Sequence, residues 1–178
     1  LQLVEARLTG GDPCNSCEAN TTVTRTLTLS INNTTGSNRT SFAFWGTLER
    51  YNGTTLASSE PISGCNSTPV PPNTSAVPPN TITSLNFGNV TYTCGQRLII
   101  TNLFLAWTSA ADNASCPLES SKIAPKCGTL PFIEINAGVN GTVTAISATC
   151  TAGGSITVAP FGGLPPYSVK LGNGTPVP

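Results

Sequence analysis

Alternation of apolar and polar residues is the dominant pattern along this chain. Val23, Leu27, Leu29 and Ile31 stand against Thr24, Thr26, Thr28 and Ser30, the period-two pattern of a strand with one buried face. Arg25 interrupts the apolar side and reads as a rim position. Phe42, Phe44 and Leu48 continue an inward face, opposed by Ala43, Trp45 and Thr47. Tyr51-Asn52-Gly53-Thr54 then predicts a hairpin folding Leu48–Tyr51 onto Thr54–Ser58, because Asn-Gly accepts the positive φ angles of a type I′ turn. Leu1 and Leu3 alternate and then lose phase, a short first strand, while Ile82, Leu85, Phe87, Val90 and Tyr92 lead into Cys94.

The longest apolar stretch, Leu98–Trp107, is β-branched and aromatic. It predicts a central strand buried on both faces, with a buried helix of the same length as the alternative that periodicity alone does not separate. Pro61–Pro79 reads as a proline-rich loop, Ala110–Lys126 as a polar excursion with room for a helical turn, and Phe132, Ile133 and Ile135 as a further strand. Asn136–Gly141 reads as a junction. No long amphipathic helical pattern occurs, and short strands with turn residues between them predict an all-β protein. The expected architecture is a disulfide-stapled antiparallel β-sandwich over residues 1–141, followed by a second β unit over residues 142–178.

That second unit has its own pattern. After Cys150, Ile156 and Val158 alternate with Ser155, Thr157 and Ala159; Pro160 then removes a ladder donor and is expected to stop the strand. Gly162-Gly163 permits a bend, Pro165-Pro166-Tyr167 stiffens the exit, and Gly172-Asn173-Gly174 offers the next turn. The ordered set of Cys150, Gly154-Ser155-Ile156-Thr157-Val158, the Gly-Gly-x-Pro-Pro-Tyr turn and Gly-Asn-Gly resembles the opening half of a SprB-type repeat. These repeats occur in tandem in very large adhesins of gliding Bacteroidota. The resemblance implies an Ig-like repeat whose second half, with a partner for Cys150, lies beyond Pro178. It also implies a non-enzymatic cell-surface adhesin exported by the type IX secretion system, whose partners are neighbouring repeats and the outer-membrane secretion and gliding machinery.

Composition narrows the picture. Eight basic residues balance eight acidic ones in 178 residues, so there is no electrostatic footprint for nucleic acid or an anionic membrane. Charged residues make up only 9%, against about a quarter in ordinary domains; hydroxyls and amides must solvate the surface, which suits an extracellular polymer. No apolar run is long enough to span a bilayer as a helix. Leu1-Gln2 does not open a signal peptide, so a leader removed before residue 1 and an anchor elsewhere are expected. Seven cysteines without a histidine point to disulfides in an oxidising compartment. Cys14, Cys17, Cys65, Cys94, Cys116 and Cys127 are expected to close three bridges within the first unit, neighbour with neighbour, because short loops close most readily.

Candidate chemistry is sparse. Cys14-Asn15-Ser16-Cys17 has redox or zinc spacing, but it lies in Gly/Pro turn sequence and lacks a second ligand pair, so structural disulfides are the expectation. The absence of histidine excludes Ser-His-Asp and Cys-His catalysis. The scattered acids, Glu49 and Glu134 among them, form no glycosidase motif. Asp12, Asn15 and Glu18 are the candidate calcium ligands, although turn chemistry produces the same spelling. No cofactor is expected. Asn-x-Ser/Thr sequons recur from Asn20 through Asn33 to Asn173; turn Asn followed by strand Thr spells them without a glycan. Trp107 is assigned to the core. Trp45 and Tyr51, sharing the face opposite Phe42 and Phe44, are the candidate ligand-contact aromatics for a surface polysaccharide. Two other readings stay open: a structural cap for a repeat filament, with that face covered by the next domain, and a carbohydrate-binding module of a secreted hydrolase.

Overall fold

A computed structural model describes residues 1–10, 20–73, 82–109, 115–123, 127–137, 139–162, 168–170, 172, 174 and 175. The protein is all-β, with β1 Gln2–Thr9, β2 Thr22–Asn32, β3 Arg39–Asn52, β4 Thr55–Asn66, β5 Thr83–Thr93, β6 Arg97–Ser109, β7 Gly128–Asn136, β8 Val139–Ile146 and β9 Ser155–Gly162. A single 3-10 turn, Ser120–Lys122, is the helical element among the described residues. Strands β1 to β7 form one seven-stranded sheet in the order β4-β3-β6-β7-β1-β2-β5. Its pairings are antiparallel except β1 with β7, which run parallel and pair at Ala6 with Ile135 and Arg7 with Asn136.

The sheet curls until its two edge strands face each other. Phe44 of β3 meets Phe87 of β5 edge to face, ring centroids 5.4 Å apart. The Asn66 amide donates to the Asn86 carbonyl at 2.8 Å, and Arg50 Nε donates to the Thr91 carbonyl at 2.9 Å. Leu27, Leu29 and Ile31 from one half and Phe42, Ile100 and Leu103 from the other thereby join a single core cluster.

The alternation in β2 and β3 places these apolar residues inward as read. The phase slips have a physical cause as well. Pairing of β1 with β2 shifts between Leu3 and Glu5, which is where the Leu1/Leu3 alternation fails. In β6 an extra residue, Asn102, sits at φ 50° and forms a bulge. Ile100 and Leu103 both point into the core as a result, and residues of both faces, Ile99 and Ala106 included, are buried in this central strand.

Five expectations need correction. Asn52 belongs to β3 and pairs with Thr55, so the hairpin turn is Gly53-Thr54, with positive φ at Gly53 alone (59°); a glycine-first turn replaces Asn-Gly. Pro61 lies inside β4, opposite Thr47, and the strand runs on to Asn66. Pro160 likewise lies inside β9, opposite Gly141. Both prolines occupy edge strands, where alternate N–H groups point away from the partner and a missing donor is tolerated. Val139–Gly141, read as junction, belongs to β8, which pairs with β9 as a separate two-stranded ribbon.

The fifth concerns the cysteines. Cys65 is bridged to Cys116, not to Cys94, across a separation of 51 residues. Neighbour pairing fails because Cys65 ends an edge strand beside the 115–119 segment, where the Cys116 N–H also bonds the Ser67 hydroxyl at 3.0 Å. Cys94 is disulfide-bonded too, to a partner outside the described residues. Cys127 is not joined to Cys116; its sulfur lies 3.9 Å from the Trp107 carbonyl.

Candidate binding face

The solvent side of β4-β3-β6-β7 is built from residues brought opposite one another by the register. Ser63, Trp45, Phe104 and Thr129 form one row across the four strands, and Pro61, Thr47, Thr101 and Phe132 the next. The Asn102 bulge is what turns Phe104 outward while Leu103 and Leu105 stay buried. Trp45 is 41% exposed, Phe132 58%. Trp45 and Phe104 lie with ring centroids 5.9 Å apart and planes tilted by 32°. Aromatic rings interleaved with Thr47 and Thr101 hydroxyls offer an apolar surface with donors and acceptors beside it, the kind of surface on which the flat face of a sugar ring can lie.

Tyr51 is on the same side but does not share a platform with Trp45. Six residues of extended strand separate them, about 20 Å. Tyr51 belongs to a polar cluster: its hydroxyl donates to Glu49 Oε2 at 2.6 Å, and the Thr101 hydroxyl donates to Glu49 Oε1 at 3.1 Å. The Arg97 guanidinium lies 5.9 Å from the Tyr51 ring centroid and is paired with Glu134. The hydrogen bond to Glu49 foremost, then desolvation and the Glu49 charge, hold the Tyr51 phenol above its ordinary value, partly offset by Arg97. The hydrogen bond to Glu134 likewise raises Arg97.

Glu49 and Glu134 flank Ile99 from either side, two strand spacings or roughly 10 Å apart. Both carboxylates are engaged by neighbours: Tyr51 and Thr101 hold one, Arg97 the other. The arrangement is a surface network that fixes the lower rows of the face and leaves the Trp45 end open.

Of the other site residues read from sequence, Trp107 is core, 8% exposed. Cys14, Cys17, Asp12, Asn15 and Glu18 lie outside the described residues, as does most of the Gly-Gly-x-Pro-Pro-Tyr turn. Cys150 is exposed, just beyond β8. Asn33 is fully buried, and its amide nitrogen donates to the Ser37 and Val70 carbonyls, both at 2.9 Å; this sequon cannot carry a glycan in the folded chain. No group of metal-binding side chains occurs among the described residues, and no helix among them is long and apolar enough to cross a membrane. Phe104, Phe132 and Thr101 were not legible as site residues. Their convergence depends on register and on a bulge inside a continuous apolar run, neither of which leaves a pattern in the sequence.

Comparison with known families, curated proteins and solved structures finds no match to the chain.

Proposed function

We propose that this chain is a non-enzymatic segment of an extracellular cell-surface adhesin, and that the Trp45–Phe104–Phe132 face contacts a surface polysaccharide. The exposed Trp45 ring, lying against the half-buried Phe104, carries this reading: a large aromatic left uncovered on a sheet rich in hydroxyls marks an interaction surface. Disulfide bonding and the low charge content suit an oxidising exterior.

The similarity of residues 142–178 to SprB-type repeats supplies the wider context: neighbouring repeats of one long polypeptide, export by the type IX system, and a role in surface attachment and gliding. The β8–β9 ribbon fits that context. Val143, Ile156 and Val158 lie on one face of it, the first two more than half exposed. Two strands with an apolar face need a covering surface to be stable, which the remainder of such a repeat would provide.

Depletion of the protein from solution by insoluble polysaccharides tests the proposal. Trp45→Ala and Phe132→Ala are expected to reduce retention at least tenfold with the fold intact by circular dichroism. Retention equal to wild type sinks the assignment of the face. Absence of retention on every polysaccharide, with Trp45 fluorescence quenched on joining the chain to a following repeat, favours the capping role instead.

A further inference from the structure

On the opposite side of the sheet, β1 and β7 pair only at Ala6–Ile135 and Arg7–Asn136 among the described residues. Toward their N-terminal ends, Leu1–Leu3 and Gly128–Leu130 border a cavity of about 830 Å³, within the size range of small-molecule sites. Leu3, Leu105, Trp107 and Leu130 supply an apolar floor continuous with the core. Arg39 and Lys122 supply the positive charge, and among the described residues no carboxylate lines the space.

The two cations are not equivalent. Lys122 lies 3.4 Å from Glu119, an exposed ion pair. Arg39 forms no ion pair among the described residues. Its backbone is fixed by reciprocal bonds with Val70 at 3.1 and 2.8 Å, which hold the side chain at the cavity wall. Arg39 lines the cavity, and a guanidinium offers a carboxylate charge-assisted hydrogen bonds from its terminal N–H groups.

We infer that this cavity binds a medium-chain aliphatic monocarboxylate, its head on Arg39 and its tail along Leu3, Leu105, Trp107 and Leu130. Arg39, a lining cation with no ion pair among the described residues, suits a charged carboxylate head, and the lining matches an unbranched hydrocarbon better than a sugar. Thr129, at the end of the Trp45 row, also lines this cavity, but Trp45, Phe104 and Phe132 of the aromatic face do not.

The chain has two tryptophans, so Trp45→Phe leaves Trp107 as the reporter. Sodium dodecanoate titrated below its micellar concentration should give a saturable change in Trp107 emission. Butanoate and 1-dodecanol should each bind at least tenfold more weakly. Arg39→Gln should weaken dodecanoate at least tenfold without changing dodecanol, and Arg39→Lys should recover part of the loss. Methyl NMR of the unsubstituted chain provides a measurement that does not depend on the variants folding. Dodecanoate should shift Leu3, Leu105 and Leu130 and leave Val143 and Ile156 of the ribbon unmoved. No saturation, equal binding of dodecanol, an Arg39→Gln affinity equal to wild type, or shifts confined to the ribbon would each overturn the inference.

Discussion

Asn33 has no contact with water, yet every hydrogen-bonding position of its side-chain amide is filled. The nitrogen donates to the Ser37 and Val70 carbonyls; the oxygen accepts from the Thr35 N–H at 3.1 Å and the Thr35 hydroxyl at 2.6 Å. One side chain thus closes the β2–β3 turn and ties it to Val70, itself buried and bridged to Arg39. Asn33→Asp replaces both donors with acceptors facing carbonyls. It is expected to destabilise by on the order of 2–3 kcal/mol in urea denaturation; a loss below half of that would mean water enters and substitutes. Gly64 is a second single-residue constraint. A Cβ there would lie 2.5 Å from the Phe87 carbonyl oxygen and 2.9 Å from the Phe44 ring, so the edge strands meet only because this position has no side chain. Gly64→Ala should cost about 1–3 kcal/mol by overpacking and disturb the Phe44 and Phe87 resonances first. A neutral substitution would show that β4 and β5 can move apart freely.

At the scale of elements, alternation was enough to find most strands, and the reason is physical: one buried face imposes a period of two. It did not find the places where the period breaks. The Asn102 bulge is hidden in Leu98–Trp107 because a run apolar on both faces looks the same with or without an extra residue. Pro61 and Pro160 argue against a strand in isolation and are harmless at an edge, but edge position is a property of the assembled sheet. The disulfide partner of Cys65 was invisible for the same reason: loop-closure entropy favours near neighbours, whereas the fold brings the 115–119 segment beside the end of β4. That bridge spans 51 residues, a closure worth about 4 kcal/mol in the chain-entropy model. The Cys65→Ser/Cys116→Ser pair of substitutions should lower stability by about that amount in denaturant titration under non-reducing conditions. A loss under about 1 kcal/mol would mean that the unfolded chain is already held compact by its remaining cross-link.

For the molecule as a whole, the curled sheet gives one core whose titratable rim is narrow. Burial lifts the Tyr92 phenol above its ordinary value of 10.0, partly offset by Arg25; the ring is 4% exposed. A raised acid stays protonated in the fold where the unfolded chain would already ionise. Its stabilisation is therefore complete below about pH 10 and is lost as pH rises through the raised value. The denaturation midpoint should fall between pH 9.5 and 11, as checked by urea titration over about that range, and Tyr92→Phe should flatten the fall. An equally steep fall in that variant would assign it to other groups.

The parallel contact between β1 and β7 has a mechanical consequence. Leu1 and the chain leaving Asn136 stand at opposite ends of two neighbouring strands that run the same way. Tension applied through those two points drags the strands past each other lengthwise. The bonds of β1 to β2, running from Gln2 to Thr9, are then strained side by side instead of being peeled off in succession. A sheet loaded in this way yields only when the whole row gives at once, so the resistance to pulling comes from the direction of two strands.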